Sequence, residues 1–348
     1  MSGSVRVKFV SKNTVPAFQM LGLPQAHGDR IEWVLDPHAR DYDWFVVYDD
    51  LPPSGNERLT LNVEELACPQ ENTILLTYEP SSVKYYGQDY VDQYGMVLTS
   101  HEAKALPHRN RQPMPPVGVW YYGGLEQAEA HSSPPQKNGL VSMFGSAKAQ
   151  NHTLHHRRNL FLAAISAGLQ DKVDVFGKGY RFVEHKAEGI DDYRYHVAVE
   201  NHISPHHWTE KLSDAYLGFS LPLYVGCTNV EAYFPEDSFI RLDIGDSAAA
   251  IARIEQAIAD NEYEKRLPAI IEARRRVLED YNLGTMVAKH ILNTPSVAVD
   301  NPSGRILSRH AMQRRDVPTF LRYAVGKMRS RKRGRQHYQD YLAGRLSA

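Results

Sequence analysis

The stretch His196–Gly226, HVAVENHISPHHWTEKLSDAYLGFSLPLYVG, sets an apolar run, a polar block and a second apolar run in close succession. With the YRY before it, the first run reads as a strand; WTEKLSDAYLGF reads as a helix and LPLYVG as another strand. Strands alternating with helices of this length form βαβ units around a parallel sheet, because parallel neighbours need a long crossover. Leu212, Ala215 and Tyr216 recur at i, i+3, i+4 and share the helix face that packs on the sheet. Polar residues stand where these elements end: Glu200 and Asn201 close the strand, while Glu210 and Lys211 lie in the first helical turn. Ligands of parallel sheets gather at the carboxyl ends of strands, beside helix N-termini. A lysine in a first turn is unfavourable against the partial positive charge of the helix end, unless an external anion such as a pyrophosphate sits there. The plainer alternatives are a Glu210 that satisfies backbone N–H groups beside a solvated Lys211, and a Glu200-Asn201 pair that caps the following loop.

The same alternation extends in both directions. Strands are expected at Val5–Val10, Trp44–Tyr48, Thr73–Thr77, Met96–Thr99 and Gly118–Tyr122. GGLEQAEAHSSPPQKN, from Gly123 to Asn138, turns polar with paired prolines and is the expected interdomain linker. GLVSMF, KVDVFGKG and SFIRLDI read as further strands, HHRRNLFLAAISAGL as a helix, and the chain beyond Ser247 turns helical. The expected organisation is an α/β domain over 1–130, a second over 136–300, and a basic helical tail over 301–348.

A net charge of −1 excludes a general nucleic-acid binder, which needs a basic excess to neutralise phosphates. The two cysteines, Cys68 and Cys227, form no framework or metal pattern, which suits a reducing cytoplasm. No apolar run approaches the roughly 20 residues that span a bilayer, and the N-terminus lacks a signal-peptide apolar core. The tail joins apolar Phe320, Leu321, Tyr323, Ala324 and Val325 to a Lys/Arg run from Lys327 to Arg335. That pattern fits peripheral contact with an anionic membrane surface through 320–336, or a solvated helix. The expected location is cytoplasmic, at the inner face of the membrane.

The order of strand, Glu-Asn, Thr-Glu-Lys, helix and Pro-Leu-Tyr-Val-Gly resembles the donor-site signature of family 10 glycosyltransferases, the α-1,3/1,4-fucosyltransferases, in their bacterial form. FPEDSFIRLD, VSMFGSAKAQNHTLHHRRNLF, KVDVFGKG and LLTYEPSS also resemble segments of that family. The likeness runs from about Asn72 to Asp243. It implies a GT-B fold: two Rossmann-like α/β domains, the donor held in the cleft and the acceptor by the N-terminal domain. It further implies inverting transfer of L-fucose from GDP-β-L-fucose to a glycan hydroxyl, such as that of lipopolysaccharide O-antigen or another surface glycan. Glu79 looks like the general base, Glu210 like the ribose ligand, and Arg158 and Lys211 like the pyrophosphate contacts. Lys186, Glu200, Asn201 and His207 fall on the donor side. Many members carry Tyr-Val-Thr-Glu-Lys where this chain has His207-Trp208-Thr209-Glu210-Lys211. A second reading keeps the fold with another nucleotide-deoxysugar donor, and a third is a non-catalytic glycan- or membrane-binding protein.

These roles agree with the chemistry. A base must take the acceptor proton, and fixed cations must stabilise the leaving diphosphate. Arg158 would do so bidentately and Lys211 as a point charge. His152 and His156 have the i, i+4 spacing of a helical metal pair, and Asp41-Tyr42-Asp43 is formally an Asp-x-Asp. No third ligand is set by spacing, so no metal site is expected and a divalent ion is at most stimulatory. Nucleotide sugar and glycan acceptor are the expected partners.

Overall fold

The computed structural model describes residues 4–12, 30–55, 59–117, 120–145, 153–295, 297 and 304–342. His152 of the candidate histidine pair lies outside them. The chain forms two compact units, one of residues 1–118 with 283–347 and one of residues 119–282.

In the first unit, β1 (Val5–Ser11), β2 (Ile31–Val34) and β3 (Trp44–Tyr48) precede the short β4 (Val63–Glu65). β5 (Thr73–Leu76), helix α1 (Gln88–Val91), β6 (Met96–Thr99) and β7 (Arg111–Pro113) follow. Six of these strands form one parallel sheet in the order β2-β1-β3-β5-β6-β7. β3, β5 and β6 are buried along their whole length, as uninterrupted apolar runs are when both faces of a parallel sheet are covered.

The second unit begins with helix α2 (Gly124–Glu129) and continues through β8 (Gly139–Phe144), α3 (Thr153–Leu169), β9 (Val173–Phe176) and β10 (Tyr193–Val199). Then come α4 (Glu210–Leu217), β11 (Leu221–Val225), β12 (Ile240–Arg241), α5 (Ser247–Ala259) and α6 (Glu262–Glu279). Its sheet is wholly parallel, in the order β12-β11-β10-β8-β9. From β8 the chain steps outward to β9, then returns to the other side of β8 and steps away through β10, β11 and β12. The strand order therefore reverses between β8 and β10, which is where doubly wound sheets open a crevice at their carboxyl edge.

After α6 the chain rejoins the first unit as α7 (Leu283–Asn293), β13 (Arg305–Leu307), α8 (Arg309–Gln313) and α9 (Val317–Leu342). β13 pairs antiparallel with β4, Arg305 opposite Glu65 and Leu307 opposite Val63. Ile306 and Met312 are buried in one core with Val10, Phe45, Leu75 and Val97.

Three expectations are corrected. The unit boundaries fall after residues 118 and 282, so 283–300 and the tail belong to the first unit and not to a donor domain and a separate appendage. The presumed linker Gly123–Asn138 lies inside the second unit: it carries α2, and Lys137 Nζ donates to Asp191 O at 2.7 Å and Gly218 O at 2.5 Å. Polarity there reflects a surface segment anchored by Lys137 and by Arg274, whose Nη2 donates to Ala128 O and, at 2.8 Å, to His131 O. The strand expected at Gly118–Tyr122 is absent from its described residues, which form coil and turn from Trp120 onward.

Candidate active site at the carboxyl edge of the second sheet

Arg158 projects from α3 onto the reversal point of the sheet. Its Nε donates to Val199 O at 3.1 Å and its Nη2 to Phe144 O at 2.9 Å. Those carbonyls end β10 and β8, the two strands between which the order reverses. Nη1 meets no acceptor among the described residues. Burial lowers the guanidinium pKa while Glu200 and Glu210 raise it, but arginine keeps its charge in proteins. A cation with a spare donor thus sits where such sheets receive their ligand.

Beside it stands the N-terminus of α4. Thr209 is the N-cap, its hydroxyl accepting from Lys211 N at 3.4 Å. Glu200, one residue beyond β10, is buried and grips that cap. Its Oε1 accepts the Thr209 N–H at 2.8 Å, and the Thr209 hydroxyl lies 2.9 Å from Oε1 and 2.7 Å from Oε2. Lys211 Nζ donates to Glu210 Oε1 at 2.7 Å and lies 3.7 Å from Glu200 Oε2. Burial raises the Glu200 carboxyl, with Lys211 opposing. For Glu210, burial pushes upward but Lys211 and Lys186 outweigh it and hold the carboxyl at about 2. Burial disfavours the Lys211 charge, yet Glu210 and Glu200 raise its pKa overall. The lysine that looked misplaced in a first turn is already neutralised within the protein, chiefly by the residue before it.

Lys186 completes the cationic group. Its Nζ donates to Asp214 Oδ2 at 2.8 Å and lies 5.2 Å from the centre of the Tyr121 ring. Asp214 is 1% exposed and burial lifts its carboxyl to about 6, against the pull of Lys186. Below the sheet edge, His196 Nδ1 is 2.8 Å from Ser142 Oγ, pairing β10 with β8. Burial, reinforced by Lys186, Lys137 and Arg158, lowers the imidazole to about 3, so it is neutral.

The remaining candidates divide. Asn201 follows Glu200, and its buried Oδ1 has no hydrogen-bond partner among the described residues. His207 is 3% exposed and packs edge-on against His202, ring centres 5.1 Å apart. His206, with φ of 61°, turns instead to Tyr233, its Nδ1 2.6 Å from the phenol oxygen. Glu79 belongs to the first unit, three residues beyond β5, at the carboxyl edge of that parallel sheet. Its carbonyl is 2.7 Å from His101 Nε2, and the neighbouring Tyr78 N–H donates to Tyr86 Oη at 3.0 Å. Tyr86 Oη in turn donates to Asp49 Oδ1 at 2.6 Å, and Asp49 also pairs with Lys84. Asp49 has a φ of 72°, a left-handed conformation uncommon outside glycine, directly after β3.

The structure thus brings Arg158, Lys186, Glu200, Asn201, Glu210 and Lys211 to one sheet edge, and sets His207 into the adjoining core. Two residues of consequence escaped the sequence reading. Thr209 was legible as an N-cap threonine before an amphipathic run. Asp214 had no local signal, because its partner lies 28 residues away on another segment. Among the described residues, no group of three or more His, Cys, Asp or Glu is placed to hold a metal.

The fold and this edge define a doubly wound α/β unit with a cluster of cationic side chains, a candidate ligand site, at its switch point. Residues 134–266, most of that unit, match the family model described as glycosyltransferase family 10 (fucosyltransferase), C-terminal. The chain is similar to that family over less than half of its length. It is similar to the 4-galactosyl-N-acetylglucosaminide 3-alpha-L-fucosyltransferase FUT6 of Homo sapiens, 31% identical over 143 residues, 39% of each chain. The 3-galactosyl-N-acetylglucosaminide 4-alpha-L-fucosyltransferase FUT3 of Pan troglodytes is 28% identical over 143 residues, covering 39% of this chain and 38% of that one. The chain thus spans less than half the length of these curated relatives. A solved alpha1,3-fucosyltransferase matches 86% of this chain and 93% of its own, with TM-score 0.51 and 18% identity. That likeness establishes the fold as GT-B, two Rossmann-like units.

Proposed function

We propose that the chain is an inverting glycosyltransferase that moves L-fucose from GDP-β-L-fucose to a hydroxyl of a glycan acceptor. The observation that carries this reading is Arg158 bridging the ends of β8 and β10, with the α4 N-terminus and Lys211 beside it. An arginine fork, an ammonium and a helix N-terminus together suit a diphosphate, whose charge grows as the bond to the sugar breaks. Glu210, held ionised by Lys211, is an acceptor for ribose hydroxyls. Glu200 serves as a positioning residue: both its oxygens hold Thr209 and so aim the helix end. Asn201 offers an unused buried carbonyl at the same edge. Glu79 is the proposed base that takes the acceptor proton as its oxygen attacks the anomeric carbon from the side opposite GDP.

The match of residues 134–266 to the fucosyltransferase family model supports the donor, and a solved alpha1,3-fucosyltransferase of similar fold holds GDP. The acceptor class proposed is a surface glycan such as lipopolysaccharide O-antigen. Because the leaving group is met by protein cations, a divalent metal is at most stimulatory. The free, buried Cys68 and Cys227 suit a cytoplasmic setting.

Incubation with GDP-fucose and galactose- or N-acetylglucosamine-containing acceptors should release GDP. Silence with every such acceptor, together with no GDP binding, would sink the reading. A second donor is worth a panel of nucleotide-deoxysugars, because His207 stands where many family members carry tyrosine and is packed on His202.

A further inference from the structure

The longest helix, α9 (Val317–Leu342), has two unlike faces. Thr319, Tyr323, Gly326, Ser330 and Gly334 recur at steps of three and four and turn toward the first unit. Thr319 is buried, the Tyr323 ring packs tilted on Tyr85 with centres 5.5 Å apart, and a side chain at Gly334 would lie 3.3 Å from Ser82 Cα. Arg322 fastens the edge of this face through two hydrogen bonds to Asp89, at 2.7 and 3.0 Å. The helix is therefore docked, and its outward face is set by the fold.

That outward face is apolar where a docked surface helix is ordinarily polar. Val317, Leu321, Val325 and Met328 follow one another at steps of four, four and three, with Phe320 alongside, and all five are 40 to 70% exposed. Lys332 and Arg335 continue the stripe after steps of four and three. Six exposed cations, Lys327, Arg329, Arg331, Lys332, Arg333 and Arg335, crowd this end. None of them pairs with a carboxylate among the described residues. No Asp or Glu occurs between Asp316 and Asp340, although the chain as a whole carries a net charge of −1.

We propose that the outward face of α9 is a docking surface for an anionic lipid bilayer, the helix lying in the plane of the interface. The apolar stripe, about 17 Å long at 1.5 Å per residue, enters the boundary between headgroups and acyl chains. The cations that follow it meet lipid phosphates, with no carboxylate on the segment to repel them. Nucleic acid would engage the cations and leave the apolar stripe in water. A second copy of the same face would bring two cation clusters together without compensating acids. Among the described residues no helix is long and apolar enough to cross a membrane. This surface is independent of the proposed transfer reaction: lipid binding needs no donor, and GDP binding needs no lipid.

The test is co-sedimentation of the full chain with vesicles of phosphatidylcholine alone, and with vesicles also rich in phosphatidylglycerol. The full chain is expected to pellet with the anionic vesicles and to remain in solution with the neutral ones. Phe320→Ser with Leu321→Ser should weaken binding at least about tenfold. Lys332→Gln with Arg335→Gln should weaken it about thirtyfold at low salt, with the loss shrinking as salt rises. Unchanged circular dichroism and GDP affinity show that the variants are folded; Val317→Ser with Met328→Ser is the substitute pair should the first misfold. Failure to pellet with anionic vesicles overturns the proposal, as does equal pelleting of wild type and both variant pairs. A dimer by sedimentation velocity that Phe320→Ser with Leu321→Ser abolishes, without lipid binding, also overturns it and makes the face a protein interface.

Discussion

Lys211 and Glu200 face each other at the N-terminus of α4, Nζ lying 3.7 Å from Oε2, while Glu210 takes the shorter contact at 2.7 Å. One ammonium thus holds two carboxylates that would otherwise repel each other. Lys211→Ala should leave both without their nearest cation. The expected result is a lower melting temperature and a GDP affinity reduced by about 2 kcal/mol, roughly thirtyfold. Calorimetric titration of GDP checks the second. Unchanged affinity would mean that Lys211 serves only to neutralise its neighbours.

Asp214 makes stability depend on pH. Its folded value of about 6 exceeds the unfolded value, so the folded protein retains a proton that the unfolded chain has lost. Stability from this group is fully present below about pH 4 and is lost as pH rises through about 6, on the order of 2 to 3 kcal/mol. Glu210 acts oppositely: its lowered value stabilises the fold above the unfolded carboxylate range and is lost as pH falls through about 2. Melting curves from about pH 4 to 7 should show wild type losing stability relative to Asp214→Asn. A constant gap between the two proteins would contradict this.

Gly226 follows β11 directly and has no room for a side chain. A Cβ there would lie 2.5 Å from Glu200 Cγ and collide with the Tyr224 hydroxyl. Gly226→Ala should cost about 1 to 3 kcal/mol of stability and, by displacing Glu200, loosen Thr209 and weaken GDP binding. Thermal melts and titration together read both effects, and loss of stability with full GDP affinity would separate Glu200 from the site.

Glu79→Gln removes the proposed base without altering its size. Turnover should fall by about 10² to 10⁴ while the KM for GDP-fucose stays near wild type. Steady-state release of GDP measures both. A fall in donor affinity with little change in turnover would move Glu79 out of the base role.

The alternation of strands and helices was legible in most of both units because buried parallel strands are long apolar runs, as in WFVVY and LPLYV. β2, β4, β7 and β13 escaped because they have only three or four residues and are partly exposed. The unit boundary was misplaced because β4 and β13 pair across some 240 residues, which no local pattern records. Arg158, Glu200 and Lys211 stood out for a physical reason: each is a charge at the end of an apolar element. Lys186 was placed by family likeness alone, since its salt bridge to Asp214 exists only once the chain has folded back on α4.

The β8–β10 edge is proposed to bind a nucleoside diphosphate through Arg158. Calorimetric titration of GDP into wild type and Arg158→Met tests it most directly. Wild type should bind one GDP per chain saturably, and the variant should lose that binding while still melting cooperatively. Absence of GDP binding by wild type, or equal binding by a folded Arg158→Met, would contradict it.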